Sequence, residues 1–435
     1  MIPSKRRSGW QYWEIAELLR DGLLEIGDGY RAKNSEMGSS GLPFARAGNV
    51  NNGFHFDDAD ILSEESVRLA GDKLSRPGDI TFTSKGTFGR FAFVCQGTPP
   101  FVYSPQLCYW RVKREGVVDQ RFLYYWMQGS DCMNQLNEVK GLTDMADYVS
   151  LTNQRKMWLS APPLPMQHRI ASILSAYDDL IENNQWRIKI LKEMARSLYR
   201  EWFVHFRFPG HEKVKMVPSS LGPIPQGWEV VAIDDVCELV TDGSHTSPKS
   251  VDKGFPMASS KDMHDWGLNL DMCRHISRED YDQLVRNGCK PQKNDVLITK
   301  DGANYLRHIF VMREELELVL LSSVAILRPN KRINPHLLTA ILSIPENKDR
   351  LKNYVTGAAI PRIILSDFKQ FKIVLPSQEV QGAWTKIGEP ITQLCWRLIE
   401  QITNLRRTRD LLLPRLLSGA IEFASAGTSA TQESA

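Results

Sequence analysis

The second half of the chain repeats the first in order, and this duplication constrains the architecture more than any single motif. GLPFA at 41–45 corresponds to GFPMA at 254–258, and GDI at 78–80 to NDV at 294–296. TSKG at 83–86 then meets TKDG at 299–302, and LTN at 151–153 meets LSD at 365–367. Pro162 and Gln167 meet Pro376 and Gln381, and SGW at 8–10 meets QGW at 226–228. The separation stays at about 214 residues, drifting by the few positions that loop insertions introduce. The 435 residues therefore read as one unit of roughly half the chain, written twice.

Each unit has two parts. The front part holds short β-rich runs, at 79–83 and 91–94 in the first copy and 295–299 in the second, punctuated by Gly, Asn, Asp and Pro, which predicts a mixed α/β domain. The back part opens at prolines, 161–165 or 375–377, and then keeps helical spacing for about 35 residues. In the first copy Leu174, Tyr177, Ile181, Asn184, Ile188, Leu191, Ala195, Leu198 and Trp202 alternate spacings of three and four, a heptad seam with Asn184 as its polar exception. Gly388, Ile391, Cys395, Leu398, Ile402, Leu405, Arg409, Leu412 and Leu416 hold the same register in the second.

Two such helices hide both seams by packing on each other. Each spans on the order of 50 Å, the length of roughly 15 base pairs of duplex. Pro390 and Pro414 predict that the second helix starts late, kinks or ends early. The fold class expected is α+β: two mixed α/β domains separated by two long antiparallel coiled-coil helices, a pseudo-twofold internal repeat. The boundaries expected are 1–160 for the first domain, 161–207 for its spacer helix, and 208–227 for an extended connector carrying four prolines. The second domain then runs 228–374, its spacer helix 375–421, and a small, polar, disordered tail 422–435.

The chain reads as a binder and not as a catalyst. No Gly-Lys dipeptide occurs, which excludes a P-loop. GTFG at 86–89 lacks the three-glycine dinucleotide pattern and reads as a turn. TPPF at 98–101 has threonine where amino-methyltransferases place Asp or Asn before Pro-Pro-aromatic, and also reads as a turn. His264, Asp265, Asp271, Cys273 and His275 match no ligand spacing and read as solvated loop, so no metal site is expected. No nucleophile, base and orienting acid come together, and no catalytic residue is expected. Seven cysteines without a C-x-x-C pair, and no apolar run near ~18 residues, predict a cytoplasmic chain with no membrane span.

With 54 basic and 51 acidic residues the net charge of +3 does not single out a partner, but two similar domains on a fixed spacer suit a partner that repeats along an axis, such as duplex DNA. The turns beside the predicted strands offer Arg31, Lys33, Lys85 and Arg90 in the first copy. The second copy offers Ser244, His245, Thr246, Lys249, Lys261, Lys300 and Arg307. Lys and Arg neutralise phosphates or read guanine edges, and Ser, Thr and His suit mixed donor and acceptor patterns.

Three stretches then carry a family resemblance: PPLPMQHRI at 162–170, REWFVHFRFPG at 200–210 and GPIPQGW at 222–228. Together with the duplication, they make nearly the whole chain resemble the DNA-specificity (S) subunits of type I restriction–modification systems. The second copy departs from the pattern where GAW at 382–384 replaces HRI and where Pro390 enters the helix. The resemblance implies two target-recognition domains, each docking on one half of a bipartite double-stranded target, with the helices fixing the gap. It implies no activity or cofactor in the chain itself. Two methylation (M) subunits would methylate adenine N6 with S-adenosylmethionine, and restriction (R) subunits would add ATP- and Mg-dependent cleavage. The helices near 170–206 and 384–419 would also dock partners. Two rivals stand beside this reading: a metal-dependent nuclease, and a coiled-coil scaffold with two protein-binding domains, which sequence-specific DNA retention separates from it.

Overall fold

The computed structural model describes residues 7–421 apart from 52, 86–88, 115, 140, 144–145, 303–304 and 358–360. In the first copy the strands that frame the domain are β1 (Gln11–Glu14), β2 (Leu24–Asp28), β3 (Gly41–Ala45), β4 (Asp60–Ser63), β5 (Ile80–Thr83), β6 (Phe91–Phe93), β7 (Val102–Tyr103), β8 (Leu107–Val112) and β9 (Trp158–Ala161). Helices α1 (Glu64–Ala70) and α2 (Gln120–Gln128) lie among them, and the long helix α3 (Leu164–Tyr199) follows. The second copy has β10 (Glu229–Ala232), β11 (Cys237–Asp242), β12 (Phe255–Ala258), β13 (Arg274–Ile276), β14 (Val296–Thr299), β15 (Ile309–Val311), β16 (Val319–Leu320), β17 (Val324–Pro329) and β18 (Lys372–Leu375). Its helices are α4 (Arg278–Arg286), α5 (Pro335–Ser343) and α6 (Gln378–Leu417).

The first copy pairs its strands in the orders β2-β8-β5-β6, β4-β3-β7 and β1-β9. The second pairs β11-β17-β14-β15, β13-β12-β16 and β10-β18, the same orders strand for strand. A parallel strand pairing recurs as well, with Phe44 opposite Val102 on β3 and β7, and Met257 opposite Val319 on β12 and β16. The central strands β5 and β14 are buried along their whole length, as strands covered on both faces must be. α2 starts where the Asp119 carboxylate accepts from the Phe122 N–H, and α5 where Asn334 accepts from His336 and Leu337 ahead of Pro335, so each helix has an N-cap that satisfies its open donors.

Contacts divide the chain into two compact units, one of residues up to Asn183 together with those from Gln401, the other Asn184–Glu400. Each long helix thus gives one half to each unit. In the first unit Ile170, Leu174, Leu416 and Leu417 join Trp110, Phe122 and Trp126 in one core. In the second, α3 closes in a π turn, Arg200–Val204, and Tyr199, Trp202 and Phe203 pack with Trp384, Leu337 and Phe371. The glutamines legible in the repeat anchor the helix starts. Gln167 Nε2 donates to the carbonyls of Pro162 and Val117 (2.8 Å each), and Gln381 Nε2 to those of Pro376 (2.9 Å) and Arg332 (3.0 Å).

None of the expected seam positions is exposed. Leu174, Ile181, Leu398 and Ile402 are buried, and Tyr177, Ile188, Leu191, Leu198, Ile391, Leu405 and Leu412 are half-buried. α6 runs from Gln378 to Leu417 through Pro390 and Pro414, so the second helix neither starts late nor ends early. Each proline frees one carbonyl, at Lys386 and Asp410, and prolines and carbonyls alike lie at exposed positions where water serves them. The stretch 208–227 is packed rather than merely extended: Met216–Val217 pairs with Ile224–Pro225, and Phe208 and Ile224 are buried. The tail expected at 422–435 lies outside the described residues. Among the described residues no helix is long and apolar enough to cross a membrane.

Candidate nucleic-acid interface

Strand direction brings the expected contact residues together. β2 and β5 both run antiparallel to β8, with Asp28 opposite Cys108 and Thr83 opposite Leu107, so their carboxyl ends share one end of the sheet. Arg31 and Lys33 follow β2, Lys85 follows β5, and Arg90 enters β6 at that same end. In the second unit Asp242 lies opposite Ala325 and Thr299 opposite Val324. Ser244, His245, Thr246 and Lys249 follow β11, Lys300 follows β14, and Arg307 precedes β15, again at one end. Lys261 follows β12, whose carboxyl end is tied to this loop cluster by the Ser260 N–H donating to Ser323 Oγ (3.0 Å).

The loops are held down where the strands end. A Cβ on Gly29, just after β2, would lie 2.0 Å from the Ser104 carbonyl oxygen. One on Gly243, just after β11, would lie 2.2 Å from that of Leu320. Both positions need glycine because another backbone crosses there. The carboxylate closing each strand then finds a lysine, Lys73 Nζ on Asp28 (2.6 Å) in one unit and Lys300 Nζ on Asp242 in the other.

These contacts sort the expected residues. Arg31, Lys33, His245, Thr246, Lys249, Lys261 and Arg307 are exposed. Lys85 is half-buried with its ammonium 4.6 Å from the centre of the Tyr148 ring, a cation–π contact that orients it. Arg90 braces the loop after β3, reaching the carbonyls of Ala47 and Val50 at 3.5 Å. Lys300, also among the expected residues, is buried and neutralised by Asp242, and so ties two strand ends. Ser244 is also buried, accepting from the Thr246 N–H (3.1 Å) and shaping the turn that presents His245, whose Nε2 lies 3.2 Å from Asp242 Oδ1.

Asp301, in the TKDG of the repeat, lies beside Lys300 just after β14. Burial pushes its carboxyl above the ordinary range, with Lys300 and Arg362 opposing. Its Oδ2 meets Arg362 Nε at 3.3 Å, while Oδ1 is buried without a hydrogen-bond partner.

The other sequence candidates resolve simply. Asp265 holds Lys192 (2.6 Å) and His308 (2.9 Å), and among the described residues no group of three or more His, Cys, Asp or Glu could hold a metal ion. Thr98 Oγ1 accepts from the Cys95 N–H in a turn. The glycine turn at 86–89 falls mostly outside the described residues.

Residues 8–193 and 225–405 each match the model of the type I restriction modification DNA specificity domain. The chain is 23% identical over 366 residues to the type I restriction enzyme MjaIX specificity subunit of Methanocaldococcus jannaschii, covering 83% of this chain and 81% of that one. It is 22% identical over 442 residues to the HindI specificity subunit of Haemophilus influenzae, covering 87% and 94%. In three dimensions it is similar to the type I restriction–modification S subunit from M. genitalium, with a TM-score of 0.56, 14% identity, and 95% and 98% of the two chains covered.

Proposed function

The chain belongs to the family of type I restriction–modification DNA specificity proteins, and from that premise we propose that it reads a bipartite duplex target, one domain per half-site, without catalysing a reaction itself. The observation that carries this reading is the convergence, in both units, of basic and hydrogen-bonding loops at one end of the same four-stranded sheet. Exposed Arg31, Lys33, Lys249, Lys261 and Arg307 suit phosphates or guanine edges, and His245 and Thr246 suit mixed base edges. Residues 1–160 and 228–374 serve as the target-recognition domains. Residues 161–207 and 375–421 serve as an antiparallel coiled-coil spacer, a reading supported by seams of which no expected position is exposed.

The pseudo-twofold repeat, supported by the matching strand orders, suits two methylation subunits on equivalent surfaces. Trp186, Ile190 and Met194, spaced four apart on α3, are large apolar residues left exposed, the stripe a partner helix covers. S-adenosylmethionine, ATP and Mg would act in the partner subunits, and the complex would work in the cytoplasm. The test is selection from a random duplex library with the chain co-purified with its methylation subunit. A two-part motif with a constant gap is expected. A continuous motif, or none from an intact complex, would favour the scaffold alternative.

A further inference from the structure

The shared framework makes one difference between the units legible. In the first unit α2 points Tyr124 and Tyr125 at the long helices. Tyr125 is buried, and its hydroxyl donates to Asp178 Oδ2 (2.5 Å), whose other oxygen takes Arg409 (2.5 Å). Leu174, one turn earlier on α3, is fully buried beside them. One repeat later the corresponding positions on α5 and α6 hold Thr339, Ala340, Gly388 and Thr392. Two tyrosines and a leucine have given way to threonine, alanine and glycine.

A cavity of about 200 Å³ occupies that place in the second unit, with Thr339, Ala340, Gly388 and Thr392 all in its wall. The cavity opens to solvent on one side, so its apolar walls face water and forfeit contacts that a filling group would make. Nor can residue 388 grow into it cheaply, since a Cβ there would sit 2.8 Å from the Trp384 ring.

The wall chemistry points to a ligand. Trp384, Trp396, Ile391 and Ile344 give apolar surface, and the indole N–H of Trp384 is buried without an acceptor. Lys192, Arg196, Arg307 and Lys348 also line the cavity, against one carboxylate, Asp265. That carboxylate is already held by Lys192 (2.6 Å) and His308 (2.9 Å), and Arg196 meets Glu193 (3.0 Å). Lys348 Nζ reaches the Arg307 carbonyl at 3.5 Å. Burial pushes the Lys348 ammonium below the ordinary lysine range; Arg196 and Lys192 add to this and Asp265 opposes it. His336, in the same wall, is driven by burial toward its neutral form. Half-buried Lys192 and Lys348 thus bring their charges to the edge of a largely apolar recess.

We propose that this cavity binds a small organic anion with a flat aromatic body, the ring lying against Trp384 and Ile391 and the anionic group meeting Lys348 and Lys192. The first unit, filled by its own tyrosines, takes no such ligand.

The probe is 1-anilinonaphthalene-8-sulfonate, titrated into the full-length chain with dye and tryptophan fluorescence recorded together. One saturable site is expected, with tryptophan emission falling as dye emission rises. Ala340→Tyr, which restores the filling of the first unit, should weaken binding by roughly tenfold or more with an unchanged or higher melting temperature. Lys348→Met should weaken the sulfonate by a similar factor and leave the neutral analogue N-phenyl-1-naphthylamine unaffected. A folded Ala340→Tyr chain that binds the dye as the parent does would overturn the proposal. So would equal sulfonate affinity in a Lys348→Met chain that melts as the parent does, or the absence of a saturable site in the parent chain.

Discussion

Arg111 grips Asp79 inside the first unit with two prongs, Nε 2.6 Å from one carboxylate oxygen and Nη2 2.8 Å from the other. Arg328 holds Asp295 in the same way in the second unit, at 2.8 Å for both prongs. The aspartates accept turn N–H groups as well, Asp79 from Arg76 (2.9 Å) and Asp295 from Gln292 (2.7 Å), so each fixes the turn that leads into the central strand. Breaking a buried pair by removing one partner costs about 3–5 kcal/mol. Asp79→Ala leaves Arg111 its bridge to Glu25 (2.9 Å) but also strands the buried Tyr103 hydroxyl that donates to Asp79 (2.8 Å), and should lose about the lower end of that range in urea unfolding. Asp295→Ala should lose less, because the Arg328 side chain is 25% exposed against 7% for Arg111 and water can serve it. Equal losses would contradict this account.

Gly29 and Gly243 test whether the units read DNA independently. A methyl group at either must displace the crossing backbone, an overpacking that costs about 1–3 kcal/mol and shifts the loop beyond it. Gly243→Ala should weaken binding to duplexes through one half-site alone, and Gly29→Ala through the other. Paired duplexes with each half scrambled in turn separate the two effects; a variant that relaxes both halves would argue against independence.

Burial distinguishes the lysines. Exposed Lys249 and Lys261, where they meet phosphates, should each reduce the salt slope of DNA binding by about 0.9 when changed to alanine. Lys300→Met should weaken binding without changing that slope, because its charge is already neutralised by Asp242. A measured drop in slope for Lys300→Met would return it to the phosphate contacts.

Much of this framework was legible as sequence, for a physical reason. A duplicated chain repeats those residues whose roles are fixed by backbone geometry. Gly41 and Gly254 recur because a Cβ would lie 1.8 Å from the Leu62 carbonyl in one case and 2.1 Å from that of Ile276 in the other. Gln167 and Gln381 recur because each satisfies two carbonyls at a helix start. Partnership was not legible. Nothing local marks Arg111 as the partner of Asp79, 32 residues away, or Lys300 as buried rather than exposed. The full length of α6 is not legible at its prolines, because a proline penalty is judged locally, whereas packing over 40 residues decides it. The cavity could not be read at all, since small side chains acquire meaning only once a register shows what they replace.

Acid should weaken the first unit through Glu25. Burial pushes its carboxyl up, but the hydrogen bond from Lys113 (2.9 Å) and the charge of Arg111 outweigh that and hold it below the ordinary range. A carboxyl that ionises more readily when folded stabilises the fold above its unfolded pKa and loses that contribution as pH falls through the folded value. The difference in urea midpoint between the parent chain and Glu25→Gln should thus be present at neutral pH and shrink as pH falls below about 4. A difference that persists in acid would assign it to packing.

The exposed stripe on α3 offers the sharpest separation of folding from assembly. Ile190 is 54% exposed and lies between Trp186 and Met194, one turn away on either side. A glutamate there buries no charge in the free chain, and helix propensity changes little, so stability should shift by no more than about 0.5 kcal/mol. Covered by an apolar partner, the same carboxylate would be desolvated without a counter-charge, which association cannot offset. Ile190→Glu should therefore melt as the parent does yet fail to co-purify with the methylation subunit, whereas Ile190→Leu should assemble normally. Assembly of Ile190→Glu at parental yield would remove this face from the docking surface and direct the search to α6, where Ile387 and Leu411 are the exposed large apolar residues among those described.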